Sequence, residues 1–160
     1  MTLPTNWSSL SPAEQLFVST NLERTVRGLA PLSAMATSLD VAADQAASTG
    51  RDPEPPAGFP STEWGSNWTS PLGNPLEADY LWMYDDGLGS PNVDCSPSNP
   101  TGCWEHYRNV LLPLACTPCV MGAAWETTSQ GATSMTELLV DTQGSPAPDF
   151  TWTQEQAYLS

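Results

Sequence analysis

The chain has a single histidine, His106, set in the run Cys103-Trp104-Glu105-His106-Tyr107-Arg108-Asn109-Val110-Leu111. Its imidazole, with an ordinary pKa of ~6.5, is the one side chain here that trades a proton near neutrality without a large environmental push. Two-histidine metal sites are therefore excluded, and any imidazole chemistry belongs to this segment. A carboxylate partner holds an imidazole in one tautomer and raises its pKa. The catalytic reading is thus His106 as general base, oriented by Asp85 or Glu105. The structural reading is a histidine that hydrogen-bonds the 65–68 loop to the 104–111 segment and does not titrate in service.

Other reactive types are present at less selective spacings. Ser66 lies in Gly65-Ser66-Asn67-Trp68 without the G-x-S-x-G elbow of a nucleophilic serine. Glu63, Asp85 and Asp86 supply carboxylates for glycosidase chemistry, which needs two acids roughly 5–10 Å apart, but no spacing selects a pair. Asp85-Asp86-Gly87, with Asp79 and Asp94 nearby, offers oxygen ligands for calcium without the alternating twelve-residue loop. Apart from that calcium option no metal or cofactor is expected. Trp64 and Trp68 could stack on sugar rings or grip an extended peptide, so Glu63, Trp64, Ser66, Asn67, Trp68 and Glu105 form the expected ligand-binding set. Of the seven tryptophans, Trp82, Trp104 and Trp125 are expected in the core because of the area each must hide.

Composition narrows the classes further. The 160 residues fit one domain. Eighteen acids against four arginines and no lysine give a net charge of −14, which repels nucleic acid and anionic lipid. No stretch approaches the ~20 apolar residues of a membrane span, and Met1-Thr2-Leu3-Pro4-Thr5-Asn6 lacks the basic start and apolar run of a leader. A monomer without nucleic-acid or membrane partners is expected. Four cysteines allow three pairings; the local one, Cys95 with Cys103 and Cys116 with Cys119, is favoured and points to an oxidising, extracellular setting. Zinc at Cys116-Thr117-Pro118-Cys119 is the rival, but the other two cysteines do not repeat the spacing.

The elements that must position these groups are marked unevenly. Ser11-Pro12-Ala13-Glu14 is a capping box with proline in the first turn, and Gly28 is placed to stop the helix that follows. A second helix spans about Thr37 to Ser48, with a small-residue face of Ala42, Ala43, Ala46 and Ala47. From Gly50 to Gly73, proline, glycine and serine predict a loop broken by short extended pieces. A third helix starts at Asn74 or Pro75 and ends at Asp85-Asp86-Gly87. Glu105 to Leu112 is a short helix stopped by Pro113, and Val120 to Trp125 and Leu138 to Val140 are strands.

The order of these pieces resembles the CAP superfamily of cysteine-rich secretory, antigen 5 and pathogenesis-related proteins, in particular its secreted bacterial branch, over most of residues 11–126. Asn21-Leu22-Glu23-Arg24 with Gly28-Leu29-Ala30-Pro31-Leu32 is similar to the family's N-x-x-R-x-x-x-G-L-x-P-L. Gly65-Ser66-Asn67-Trp68 resembles its G-E-N-x-W loop, Trp82-Met83-Tyr84-Asp85 its W-Y-x-E helix end, and His106 to Leu111 its G-H-x-x-N-I-L segment. The resemblance implies an α+β, three-layer α-β-α sandwich around a central antiparallel sheet, with residues 1–10 as an N-terminal segment, 11–143 as the domain and 144–160 as a tail or last strand. It also implies a cleft lined by two histidines and two glutamates. His106 matches the second histidine, Asp85 the second glutamate, and Ser66 stands where the first glutamate is expected. The first histidine has no counterpart, so a secreted ligand-binding domain with a degenerate tetrad is expected, and a peptidase or cell-wall hydrolase using His106 and Asp85 is the alternative.

Overall fold

The structure, a computed structural model, describes residues 1–159. The fold is α+β, with five helices among the described residues around one five-stranded mixed sheet. Helix α1 (Pro12–Val26) begins as the sequence predicts: the Ser11 side chain accepts from the Glu14 amide while the Glu14 carboxylate accepts from Ser11 N–H. Helix α2 (Thr37–Thr49) ends on Gly50, whose φ of 72° is the left-handed turn that glycine adopts without strain. Helix α3 (Pro75–Tyr84) is capped by Asn74, and α4 (Glu105–Val110) is the short helix that carries His106.

Strands β1 (Ala34–Ala36), β2 (Ser61–Thr69), β3 (Cys119–Thr127), β4 (Thr133–Thr142) and β5 (Pro148–Thr151) lie in the order β2-β4-β3-β1-β5. The expected all-antiparallel sheet is corrected in one place, since β1 runs parallel to β3. The chain crosses from β1 to β3 through α2, β2, α3 and α4, a long connection of the kind parallel pairing requires. A second correction concerns residues 50–73. Their expected loop contains the nine-residue strand β2, whose weak strand formers Gly65, Ser66 and Asn67 are held by pairing with Leu139, Leu138 and Glu137 of β4. The described part of the expected tail, residues 144–159, carries β5 and a last helix, α5 (Trp152–Glu155), with Trp152 and Glu155 buried.

Period-2 alternation organises the packing around β3. Met121 and Ala123 join Leu16 and Phe17 of α1 in the main apolar cluster, whereas Val120 meets Leu39 of α2 and Ala124 meets Ala43 and Ala47. Gly122 is required where α2 crosses: a Cβ there would lie 2.4 Å from the Leu39 carbonyl. The small-residue face of α2 thus brings helix backbone onto strand backbone. Asp40 of α2 accepts a hydrogen bond from Ala123 N–H at 2.9 Å. Burial, with the neighbouring Asp149 charge, pushes its carboxyl up to about 8.

Both local cystine bridges, Cys95–Cys103 and Cys116–Cys119, are formed, and no cysteine is free among the described residues. No helix there is long and apolar enough to cross a membrane.

Candidate functional site

His106 lies in the first turn of α4. The helix is entered through Trp104, which takes a left-handed φ of 62°, and the indole lies over Gly87, where an added Cβ would be 2.7 Å from it. Trp104 N–H donates to the Asp86 carbonyl, so the turn before the histidine is fastened to the turn after α3. This corrects the core assignment of Trp104, which is 42% exposed, whereas Trp82 is buried. Trp125 is half-buried against the main cluster.

The fastening sets the key contact. His106 Nδ1–H donates to Asp86 Oδ1 at 2.7 Å, while the other oxygen, Oδ2, accepts from Tyr107 N–H at 3.2 Å. Asn92 Nδ2 also donates to Asp86 Oδ1, at 2.6 Å, and to the Gly102 carbonyl at 3.0 Å. Asp86 is 1% exposed, so its charge acts on the imidazole with little solvent between. The carboxylate partner is therefore Asp86, which corrects the expected Asp85. Asp85 is the C-cap of α3 and only half-buried, and the next residue, Asp86, is the one buried against α4. Glu105, the other expected orienter, is exposed. Burial alone would lower the His106 pKa, but the Asp86 bond and charge, with Asp52 and Asp94 beyond, hold it above its ordinary value.

Nδ1 is thereby committed, and Nε2 is the remaining ring nitrogen. His106 stands between two connected hollows that share Asp52 and Asp94. One, about 390 Å³, is walled by Trp64, Gly65, Ser66 and Asn109 with Glu54 and Glu105. The other, about 260 Å³, is walled by Trp68, Leu81, Trp82 and Val93. Of the expected ligand-binding residues, Trp64, Ser66 and Glu105 line the first hollow and Trp68 the second. Asn67 lies buried beneath the floor. Glu63 is exposed and is not part of the first hollow's wall.

A buried polar layer beneath the groove holds its two sides in register. Asn67 Nδ2 donates to the His106 carbonyl at 3.1 Å and to Glu137 Oε1 at 2.8 Å, while Asn109 Nδ2 donates to Ser66 O and Asn67 Oδ1. Glu137 Oε2 accepts from Thr20 at 2.9 Å. Arg24, fully buried, donates to the Val110 and Leu112 carbonyls at the end of α4, each at 2.9 Å. Burial pushes Glu137 up to about 7 against the opposing pull of Thr20, Asn67 and the Arg24 charge. Asp79 also rises to about 7, through burial and the charges of Glu23 and Glu137. Sequence reasoning missed Glu137, Asn92 and Asp52. Only Glu137 carried a signal, an acid inside the apolar run Met135-Thr136-Glu137-Leu138-Leu139-Val140.

Neither protein-family models nor curated proteins match the chain.

Among the described residues no three His, Cys, Asp or Glu side chains are grouped to hold a metal ion. Of the acids considered for calcium, Asp86 is bound to His106 and Asp79 is buried on α3. The site offers an imidazole with one nitrogen fixed by a buried carboxylate, set in a groove rich in indoles and acids.

Proposed function

We propose that the protein is a secreted, CAP-like domain of the bacterial type that binds an extracellular peptide, glycan or lipid in the groove across His106. The observation that carries this reading is convergence. The Trp64–Trp68 strand, the turn after α3 and the start of α4 are far apart in sequence and meet around one imidazole. The two disulfides, and the lack of a membrane-crossing helix among the described residues, fit an extracellular protein. The three-layer arrangement is supported by the division of β3 residues between α1 and α2.

A hydrolase is the second reading, and the His106–Asp86 pair favours it. With Nδ1 held by Asp86, Nε2 would accept a proton from an attacking water while the carboxylate stabilises the imidazolium that forms. One experiment separates the two. The His106 imidazole NMR signals are followed while the protein meets peptides, peptidoglycan fragments and lipid vesicles, and each probe is then weighed by mass spectrometry. Shifted signals with an intact probe are expected for a binding module. Cleavage that disappears in His106→Ala would establish the hydrolase instead, and signals indifferent to every probe would end the groove's claim to be a ligand site.

A further inference from the structure

The groove is chemically divided, and the division specifies what it takes; this rests on the reading of the groove as a ligand site. On one side of His106 the wall is apolar and aromatic, from Trp68, Leu81 and Trp82. On the other side it is acidic, from Asp52, Glu54 and Glu105, with Trp64 beside them. Asp52 and Asp94 border both arms and Glu77 stands at the edge of the aromatic one, so the acids that belong to the second arm alone are Glu54 and Glu105. When His106 is protonated its charge is shared between Asp86 and the nearby Asp52 and Asp94, and the acids around it remain in excess.

We propose that the groove binds a short peptide segment with an apolar side chain in the Trp68–Trp82 arm and a basic side chain in the Asp52–Glu105 arm, its backbone crossing His106.

Three observations select this occupant. The apolar arm, about 260 Å³, is smaller than the ~300–1,000 Å³ of pockets that enclose a whole small ligand, so it takes one side chain of something longer. The opposite arm asks for a cation, because exposed acids focus a negative potential into a concave site. A neutral glycan leaves that demand unmet, and an anionic lipid surface is repelled by the net charge of −14. Finally, Trp82 is 2% exposed and its indole N–H has no acceptor in the protein. A buried N–H without an acceptor costs about 1–3 kcal/mol, and Trp82 is part of the apolar wall. A peptide, which carries a carbonyl at every residue, brings acceptors into that arm together with the side chain.

The test uses the whole protein and acetylated, amidated hexapeptides of glycine and alanine carrying one phenylalanine and one arginine in either order. Control peptides replace arginine by glutamate or phenylalanine by serine. Binding is measured by calorimetry and located by the His106 signals. One Phe/Arg order is expected to bind and shift His106, with each replacement weakening it about ten-fold or more. Raising the salt from about 0.05 to 0.5 M should weaken the arginine peptide and leave the serine-free apolar contribution in place. Glu54→Gln with Glu105→Gln should reduce the preference for arginine over glutamate, Asp52 and Asp94 remaining, without altering the fold seen by circular dichroism. Equal or tighter binding of the glutamate peptide would overturn the proposal, as would an unchanged preference in the double variant. Binding of a chitin oligosaccharide or a vesicle at His106 with no peptide bound would overturn it too, while leaving the groove a ligand site. If no probe of any class moves the His106 signals, the groove reading itself falls.

Discussion

Two carboxylates, Asp86 and Glu137, both connect to the His106 segment, one directly and one through Asn67, and do different work. Both are shielded from water, and each accepts from an asparagine, Asn92 at Asp86 and Asn67 at Glu137. Asp86 faces an imidazole at the groove surface, and its bond can change whenever His106 gains or loses a proton. Glu137 faces Thr20 and Asn67 in the interior, with Arg24 as the nearest countercharge, and its carboxyl is pushed up to about 7. The lesson is that depth decides the role: the same group tunes a titratable partner at the rim and fixes the frame below. Asn67 couples the two levels, since one amide serves both Glu137 and the His106 carbonyl.

The largest effect should come from the deeper member. Glu137→Ala leaves Thr20 and Asn67 without their acceptor, removes the charge that faces the buried Arg24 and opens a void, and a loss of about 3–5 kcal/mol is expected in urea unfolding. A loss below about 1 kcal/mol would mean that Glu137 does not hold the layer together.

The pH dependence sharpens the contrast next. Unfolded carboxyls ionise near ~4, whereas in the fold burial raises Glu137 and Asp79 to about 7 and Asp40 to about 8. Between these values the folded chain retains protons that the unfolded chain has released. Their contribution is therefore full below about pH 4 and is lost as pH rises through 7 to 8. His106, also raised, acts in the same direction. The melting temperature should fall from about pH 5 to about pH 8, and Glu137→Gln should flatten that fall. A melting temperature that climbs over the same range would contradict the burial of these acids.

The rim depends on a cystine in a way the interior does not. Cys95–Cys103 encloses the loop whose Gly102 carbonyl anchors Asn92. Replacing both cysteines by serine should cost about 2–3 kcal/mol from loop entropy and broaden the His106 signals, while the pH slope assigned to Glu137 persists. Smaller still is a change away from both sites. Ser11→Ala removes the α1 cap, at about 1 kcal/mol, and should leave His106 unshifted.

Legibility in the sequence follows the range of the interactions. Helices α1 and α3 were readable because their caps lie within a few residues of their ends, in Ser11-Pro12-Ala13-Glu14 and Asn74-Pro75, and α2 through the alanine face that it presents at helical spacing. Strands β1 and β2 were not: Ala34–Ala36 is too short to show alternation, and Gly65-Ser66-Asn67 becomes strand only through its partners on β4. His106, Ser66, Trp64 and Trp68 were identifiable by residue type and do meet at one groove. The choice of Asp86 over Asp85 was not, because it turns on the backbone of the C-cap and on the Trp104 amide that grips the Asp86 carbonyl. Asp52 and Glu54 came from a stretch that looked like plain loop, and only the tertiary fold lays them beside His106.

The pairing of His106 with Asp86 is tested most directly by an NMR pH titration of the imidazole in the wild type, Asp86→Asn and Asp85→Asn. The His106 pKa should drop in Asp86→Asn, because burial then acts with its main opposition removed, and should stay at the wild-type value in Asp85→Asn. A pKa that moves with Asp85 and ignores Asp86 would contradict the account.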